Sequence, residues 1–503
     1  MDVLAGLAHG FGIALQPMNL LWCLLGCVLG TLVGIMPGLG PAAAIAMLMP
    51  VTFNMDPTGG IIMLAGIYYG AKYGGSTTSI LLNIPGEASS VASCLDGSQM
   101  AKNGRAGAAL GIAAIASFVA GTFGVVLLTV VAPPIARFAL SFSSPEYFAL
   151  LSLGLALVVL FAGESPLKAA LAMLVGLWFT SIGIDLFSAQ ARFTFGQTAL
   201  LNGIDFMIVA IGIFAVAEVL GSLQAKSDAQ MLAVPSGIRN LLPSWEELKA
   251  CRFAFVNGSI TGFLVGVLPG AGSSISSFIA YAFEKLFSKH PERFGQGAPE
   301  GLAAPEAANN ADTSGALVPM LTLGLPGGGT TAILLSALVL WGLKPGPMLM
   351  QDSPNVFWGL VASMYIGNLM LLLLNLPLVP LFAQALRIPS YVLFPMILCI
   401  SVVGVFGVAQ SVFHIGLLAG FGLLGYAMAR LGYPGAPLIL GFVLGDGMER
   451  ALRQSLQMSG GDLGILVSRP IAAGLLVAAV LVLMMPLIGR FNRWRRRGLA
   501  ENG

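Results

Sequence analysis

The sequence GIMPGLG at residues 34–40 interrupts a long apolar run, and GVLPGAG at residues 266–272 interrupts another one 232 residues later. Both stretches fit the pattern Gly-x-x-Pro-Gly-x-Gly. Because proline removes a backbone donor and clashes with the preceding turn, and glycine loosens the backbone, a helix cannot run straight through either stretch. In lipid such a break is tolerated only where the freed backbone is buried in protein or lines a polar cavity. Matching breaks in two halves of a chain are typical of transporter binding sites.

A second break follows the first one in each half. Residues 84–86 (IPG) come after YGGSTTSILLN, and residues 325–327 (LPG) come after VPMLTLG. We therefore expect an all-α polytopic integral membrane protein with two repeats, whose broken or re-entrant helices carry Pro-Gly tips. The helices predicted beyond the breaks recur in the same order, at 106–133, 145–163, 166–185 and 203–225 in the first half and at 354–385, 390–409, 411–430 and 437–456 in the second.

The composition also indicates a membrane protein. Charged residues make up 9 % of the chain and apolar residues 57 %, whereas a soluble domain has roughly 25 % charged residues. A soluble chain of 503 residues would form several domains, and each of them needs a polar surface that so little charge cannot supply. Apolar runs such as 118–131, 361–381 and 471–488 belong to segments long enough to cross the hydrocarbon layer.

The distribution of lysine and arginine predicts the orientation, because short cytoplasmic loops collect both residues. With the central polar stretch and the basic C-terminal tail in the cytoplasm, Lys102 and Arg105 also fall inside. The corresponding loop of the second half, at 349–354, then falls outside, so the two repeats are predicted to be inverted. Four arginines fall on the unexpected side in this arrangement, namely Arg137, Arg192, Arg450 and Arg453.

The same features predict the domain organisation. The expected parts are a first transmembrane repeat at 1–225, a central cytoplasmic connection at 226–252, a second transmembrane repeat at 253–465, an extra terminal transmembrane helix at 466–490 and a basic cytoplasmic tail at 491–503.

The broken tips are the first candidates for substrate binding. Where a helix restarts after Pro-Gly, free backbone amides and the positive end of the helix dipole favour an anion such as a carboxylate. Hydroxyl groups beside the breaks add donors or oxygen ligands for sodium. The alternative is that the Gly-Pro pairs only kink the helices and that the hydroxyls bond to their own backbone. The candidates are Gly38, Gly40, Ser76, Thr77, Thr78, Gly86, Gly270, Gly272, Ser273, Ser274, Gly327, Gly328 and Thr330.

A lysine within a largely apolar segment is a further candidate. Lys72 stands in YYGAKYGG, and an ionisable group at membrane depth is costly unless it is paired or functional. Alternatively, the side chain snorkels to the interface from a helix end, which the neighbouring glycines would favour. Glu87 follows the second break directly and is predicted either to be the counter-charge of Lys72 or to face water.

The segment 300–313 is unusually polar for this chain. Glu306, Asn309, Asn310 and Thr313 recur at helical spacing and share one face. Their oxygens are hard ligands of the kind that sodium prefers, and Glu306 or Asp312 could instead carry a proton. We therefore predict ion coupling at Glu306, Asn309, Asn310 and Asp312. A solvated loop followed by a helix cap is the alternative.

Four long strings carry a resemblance to a known family. They are GIMPGLGPAAAIAMLMP, KYGGSTTSILLNIPGEASS, PEGLAAPEAANNADTSGALVPMLTLGLPGG and APLILGFVLGDGMERALRQSLQMSGGD. In this order they resemble the large membrane subunit of tripartite tricarboxylate transporters, over nearly the full length of the chain. The resemblance implies a secondary transporter in the bacterial inner membrane that imports organic carboxylates. It also implies a sodium or proton gradient as the driving force, and a small membrane subunit and a periplasmic substrate-binding protein as partners.

Other classes of protein fit the sequence less well. An enzyme within the membrane would need a nucleophile with its base, or a metal-binding set, and neither pattern is visible. The nucleotide-binding pattern Gly-x4-Gly-Lys-Ser/Thr is also missing from the sequence, and we expect no cofactor and no nucleic-acid partner. A carboxylate channel, or a stand-alone carrier that needs no binding protein, remains the alternative function.

Overall fold

The computed structural model describes residues 2–36, 39–161, 165–185, 187–223, 238–382, 384 and 390–501. Most of these residues lie in α-helices, which confirms the predicted all-α polytopic class. The sheet formed by the described residues is an antiparallel hairpin in which β1 (Gly183–Ile184) pairs with β2 (Ala191–Arg192).

The helices of the first half extend to residue 222. They are α1 (Val3–Ala14), α2 (Pro17–Ile35), α3 (Pro41–Thr52), α4 (Pro57–Leu82), α5 (Val91–Met100), α6 (Ala106–Ala139), α7 (Ser144–Phe161), α8 (Pro166–Thr180), α9 (Phe206–Ala210) and α10 (Ala217–Ser222). Short 3-10 helices lie at Ala88–Ser90 and Thr198–Leu200, and π-helical turns lie at Ala101–Arg105 and Ile211–Val216. The helix predicted at 203–225 is thus divided by a π-helical turn.

The helices of the second half begin at residue 238, beyond a part of the central stretch, 224–237, that lies outside the described residues. They are α11 (Ile238–Leu241), α12 (Trp245–Ala250), α13 (Arg252–Gly266), α14 (Gly272–Phe287), α15 (Pro299–Leu323), α16 (Gly329–Leu340), α17 (Leu349–Asp352), α18 (Pro354–Asn375), α19 (Val379–Phe382), α20 (Ser390–Ala409), α21 (Val412–Arg430), α22 (Gly435–Met458), α23 (Ile465–Ser468) and α24 (Pro470–Glu501). A further 3-10 helix lies at Pro291–Arg293.

Helices end and begin at the predicted breaks. At the first breaks, α2 ends at Ile35 before α3 begins at Pro41, and α13 ends at Gly266 before α14 begins at Gly272. At the second breaks, α4 and α15 are each followed directly by a residue in the left-handed conformation. These residues are Asn83 with φ 55° and Gly324 with φ 71°. Glycine and asparagine are the residues that most readily adopt this conformation at a helix C-terminus.

The two halves share one mode of helix packing. In the first half, three glycines of α2 face backbone carbonyl oxygens of α4, and in the second half, three glycines of α13 face carbonyl oxygens of α15. A Cβ atom added at any of these glycines would lie 2.2–2.5 Å from the oxygen, so only glycine permits such a close approach. The pairs are Gly26 with Met63, Gly30 with Ile67 and Gly34 with Ala71, and Gly258 with Ala304, Gly262 with Ala308 and Gly266 with Asp312.

The helices that follow the breaks are short. Helices α3 and α16 have 12 residues each, or about 18 Å, which is too short to cross a hydrocarbon layer of about 30 Å. Helix α3 follows the first break of one half and packs on α16, which follows the second break of the other. In the same way, α14 packs on α5. Each half therefore contributes one short helix to each pair.

Six helical segments of the described residues are long and apolar enough to cross a membrane, so the chain is a multi-pass membrane protein. Few residues of the last two are buried, as expected for helices that face lipid. The segments are Pro17–Ile35, Ala88–Ala139, Ser144–Phe161, Pro354–Asn375, Val392–Ala409 and Val412–Arg430.

The chain divides into two compact units. One comprises 1–137, 207–268 and 272–427 and contains all four helices α2, α4, α13 and α15. The other comprises 138–206, 269–271 and 428–503, and in it α22 packs against α7 and α8, and α24 packs against α7.

Three of the four arginines on the unexpected side are ion-paired within the second unit. Arg192 and Arg453 both bind Glu449, at 2.8 and 2.7 Å, and Arg453 also binds Asp185 at 2.9 Å. Arg450 pairs with Asp446 at 2.7 Å. The backbone amide of Phe187, together with the Arg453 guanidinium, holds the pKa of the Asp185 carboxyl well below its usual range. These arginines are therefore part of a local charge network beside the β-hairpin.

Candidate functional site

Lys72 lies in a buried polar cluster in the first unit. The residue is 2 % exposed and belongs to the 26-residue helix α4, in which nearly every side chain is buried. Its ammonium nitrogen Nζ lies 3.0 Å from Glu87 Oε1, 2.6 Å from Ser273 Oγ and 3.4 Å from Ser89 Oγ. A lysine with these partners does not snorkel to an interface, so the alternative interpretation of Lys72 is wrong.

The aromatic ring of Tyr68 lies close to the Lys72 ammonium group. Its centroid is 5.7 Å from Lys72 Nζ, a distance at which the negative face of an aromatic ring attracts a cation. Tyr68 and Lys72 are four residues apart on α4, and a helix brings such residues onto one face. Tyr68 was not predicted as a site residue, although its spacing of four residues from Lys72 on one helix could have indicated it.

Glu87 is the counter-charge of Lys72. It stands at the first position after the second break, where the chain leaves α4 and turns into the 3-10 helix Ala88–Ser90. Its Oε1 atom also accepts a hydrogen bond from Asn309 Nδ2 of α15 at 3.2 Å and another from the Ser89 hydroxyl. Glu87 therefore connects the second break of the first half to the polar helix of the second half. Ser89 was not predicted as a site residue.

The polar segment of α15 is buried in the helix, which excludes the solvated-loop interpretation. Glu306, Asn309 and Asp312 are 0 %, 1 % and 2 % exposed. Ser76 of α4 donates a hydrogen bond of 2.5 Å to Glu306 Oε2. One oxygen of each acidic or amide side chain has no hydrogen-bond partner, namely Glu306 Oε1, Asn309 Oδ1 and Asp312 Oδ1. Buried polar atoms are normally paired, so these free oxygens indicate a site for a ligand.

Other predicted residues have structural partners instead. Asn310 donates a hydrogen bond to Ser117 Oγ of α6 at 2.7 Å. It therefore points in a different direction from Asn309, which donates to Glu87. Thr313 bonds back to the carbonyl oxygen of Asn309 in its own helix. Thr78 donates to the carbonyl oxygen of Ile35, the last residue of α2, at 2.6 Å. Thr313 therefore bonds to the backbone of its own helix, whereas Thr78 bonds to the end of a neighbouring one.

The glycines at the tips fall into two groups. Gly86 and Gly327 are packed against backbone, since an added Cβ would lie 2.6 Å from the Gly34 carbonyl oxygen at the former and 3.0 Å from Ala316 Cα at the latter. Gly40 and Gly328 have open space where a Cβ would project, and neither has a positive φ. They directly precede α3 and α16, where free amides are exposed to a ligand.

The remaining tip residues differ in their surroundings. Gly270 has φ 83° and packs against Val158 within the second unit, whereas Gly272 has φ 67° with open space around it. Ser274 and Thr330 are half-buried near the N-termini of α14 and α16, and Thr77 is buried in α4. Gly38 lies outside the described residues.

A further buried carboxylate, that of Asp96, was not predicted from the sequence. Asp96 of α5 is fully buried and accepts hydrogen bonds from the backbone amides of Gly295, Gly297 and Ala298 at 2.8–2.9 Å and from the Tyr281 hydroxyl at 2.9 Å. It thereby fastens the loop before α15 to the first half. No feature of the sequence around Asp96 predicts these partners, because all of them lie about 200 residues away in the chain.

The cluster has the chemistry of a site for ions. The ammonium of Lys72 has oxygen partners that a substrate carboxylate can replace, and the free oxygens of α15 suit a hard monovalent cation. No group of three or more His, Cys, Asp or Glu side chains that could hold a metal occurs within the described residues. A cation here would therefore have to use carboxylate, amide and hydroxyl oxygens together.

Broken helices that meet at a buried lysine–carboxylate cluster, in a chain with several membrane-spanning helices, define a membrane transport protein. The chain belongs to the tripartite tricarboxylate transporter TctA family, whose model matches residues 20–440. It is thus a subunit of a tricarboxylate transporter, and the family resemblance predicted from the sequence is confirmed.

Two similar proteins come from Agrobacterium vitis. An uncharacterized 52.8 kDa protein in the TAR-I ttuC' 3' region is 46 % identical over 494 residues, which cover 97 % of each chain. An uncharacterized protein in the TAR-II ttuC' 3' region is 43 % identical over 241 residues, which cover 48 % of this chain and 100 % of the relative. No solved structure matches the chain.

Proposed function

We propose that this chain is the membrane permease subunit of a binding-protein-dependent secondary transporter. It imports organic carboxylates of the tricarboxylate or dicarboxylate type by alternating access across the bacterial inner membrane, driven by a sodium or proton gradient. Its partners are a small membrane subunit and a periplasmic substrate-binding protein, as the family name and the sequence resemblance suggest.

One observation carries this proposal. The ammonium of Lys72 is held by Glu87, which follows the second break of the first half, and by Ser273, which follows the first break of the second half. A carboxylate that binds Lys72 in place of these oxygens would be in contact with broken segments of both halves. A substrate in this position can bias how the two halves pack, which is what alternating access requires.

The equivalent packing of α2 on α4 and of α13 on α15 supports the inverted-repeat arrangement. Two halves with the same internal packing can exchange roles when the site opens first to one side and then to the other. The short helices α3 and α16 suit this role, because they are too short to cross the membrane and their N-termini favour a carboxylate.

A carboxylate channel and a stand-alone carrier are the alternatives. A channel would share the polar breaks but would not need a buried lysine whose partners come from both halves. Counterflow in proteoliposomes separates carrier from channel, because only a carrier exchanges labelled for unlabelled substrate against the concentration gradient of the label.

The test is reconstitution of the chain with and without its two partners. We expect counterflow by the complete system, and we expect uptake to be lost when the binding protein or the small subunit is left out. Full uptake by this chain alone would remove the binding-protein dependence, and flux without counterflow would favour the channel.

A further inference from the structure

The charges of the central cluster do not balance. Three carboxylates, those of Glu87, Glu306 and Asp312, lie within electrostatic range of one ammonium group, that of Lys72. Glu306 and Asp312 are 0 % and 2 % exposed. If all four groups were ionised, two negative charges would stay uncompensated away from water. Proteins avoid such a state by neutralising the group or by binding a counter-ion.

Lys72 cannot compensate the other two carboxylates, because Glu87 already engages it at 3.0 Å. Among the described residues, no other basic side chain forms an ion pair with Glu306 or Asp312. Each of these two carboxylates keeps one oxygen without a hydrogen-bond partner, Oε1 of Glu306 and Oδ1 of Asp312. Asn309, which stands between them on α15, adds a third free oxygen, Oδ1, and its amide nitrogen binds Glu87. Asn309 therefore connects this set of side chains to the Lys72–Glu87 pair.

The two carboxylates form two positions rather than one. They are six residues apart on α15, a rise of about 9 Å along the helix axis. They also have different neighbours, since Glu306 accepts a hydrogen bond from Ser76 whereas Asp312 lies beside Ser276. The two carboxylates are therefore separate positions along the helix, each with its own hydroxyl neighbour.

We propose that the cluster takes up two monovalent cations, one at Glu306 and one at Asp312. Each cation is either a proton, taken from the aqueous phase onto the carboxylate, or a sodium ion bound through the free oxygen. The inference rests on the proposed function and specifies its coupling, because two positive charges then accompany each substrate.

Several titratable groups face these positions and set the balance. Around Glu306 they are Lys72 and Tyr73 of α4, Glu87 after the break, and Cys94 of α5, and around Asp312 they are Tyr68 and Lys72 of α4 and Glu87. Lys72 is the one cation in this set, so the set as a whole retains the excess of two negative charges.

The experiment counts cations on the purified full-length chain and needs no substrate. Equilibrium dialysis with radioactive sodium counts bound sodium ions, and infrared difference spectroscopy counts protonated buried carboxyl groups. Both counts are taken relative to the double variant Glu306→Gln/Asp312→Asn, which subtracts other buried carboxyl groups such as that of Glu284. We then expect the two counts to add up to two per chain, whichever cation is used. Glu306→Gln and Asp312→Asn should each lower this total by one.

Two further variants keep the test decisive. Glu292→Gln removes an exposed carboxylate, of which 67 % of the side chain is accessible, and should leave the total at two. Lys72→Met leaves Glu87 without its counter-charge and should raise the total to three. If Glu306 and Asp312 bound cations independently of the charge balance of the cluster, the total would stay at two.

A total of one or zero in the unmodified chain, or a total of two in Glu306→Gln or Asp312→Asn, would overturn the inference. Neither readout depends on transport. A chain that binds two cations but moves no carboxylate would contradict the proposed function alone, and transport by a chain that binds a single cation would contradict this inference alone.

Discussion

Lys72 Nζ and Ser273 Oγ lie 2.6 Å apart although 201 residues separate them in the sequence. The contact joins α4, which precedes the second break of the first half, to α14, which follows the first break of the second half. Lys72 is buried, whereas Ser273 is half-buried and so partly accessible. A carboxylate that reaches Lys72 would have to displace this hydroxyl or Glu87.

The pair of Lys72 and Glu87 allows stability to be separated from transport. Lys72→Met leaves a buried carboxylate unpaired, and we expect a loss of about 3–5 kcal/mol in the free energy of unfolding together with a loss of uptake. The double variant Lys72→Met/Glu87→Gln should recover most of the stability, because no charge is then left unpaired, but it should not recover uptake. Thermal unfolding in detergent and uptake per amount of membrane protein measure the two effects. Uptake by the double variant at the unmodified rate would show that Lys72 is only structural.

The two groups of tip glycines predict opposite effects of the same substitution. Gly328→Ala adds a methyl group in open space without positive φ, so the fold should be unaffected, whereas uptake should fall because the backbone at the α16 N-terminus becomes less accessible to a carboxylate. Gly327→Ala should instead lower stability, since its Cβ would lie 2.8 Å from that of Ala316. Gly40→Ala serves as the matched variant in the first half. Normal uptake in both Gly40→Ala and Gly328→Ala would mean that the site lies elsewhere.

The shared packing of the two halves can be tested with equivalent substitutions. Gly30→Leu on α2 and Gly262→Leu on α13 should destabilise the protein by similar amounts, each by at least about 1–3 kcal/mol, because the side chain enters a closely packed backbone contact. Gly416→Leu on α21 is the control, because a Cβ there would meet nothing within 4 Å. The comparison uses thermal unfolding of the purified variants, and a large effect in only one half would argue against equivalent roles.

The predicted inversion of the repeats is tested by reporter fusions. A reporter inserted after residue 104 should be cytoplasmic, and one inserted at Ser353 should be periplasmic, because these positions are in corresponding loops of oppositely oriented halves. Arg105 pairs with Glu247 of α12, which lies within the central stretch, so both should be on the same side of the membrane. Reporters on the same side of the membrane would exclude inversion.

The breaks and the buried charge were predictable from local sequence. Single prolines such as Pro305 and Pro319 lie inside α15, so it is the adjacent Pro-Gly pairs that mark the ends of α2, α4, α13 and α15 in the sequence. A lysine in an apolar run has to find a counter-charge, and this made Glu87 a reasonable candidate.

Tertiary partners were not predictable in this way. The hydrogen bonds of Asp96 and the different directions of Asn309 and Asn310 depend on how helices from the two halves pack, and one sequence carries no record of this. For the same reason, the sequence could not distinguish Gly328, which has open space, from Gly327, which is packed against the preceding helix.

The most direct test of the central claim is chemical labelling at position 273. All five cysteines are free, and Cys399 is the exposed one, so Ser273→Cys is made in a Cys399→Ser background and labelled with N-ethylmaleimide in the reconstituted complex. A thiol beside the Lys72 ammonium ionises readily and should react. If the substrate carboxylate binds at Lys72, the labelling rate should fall as its concentration rises, with the same half-saturation as uptake. A labelling rate that stays constant at concentrations that saturate uptake would contradict a substrate site at Lys72.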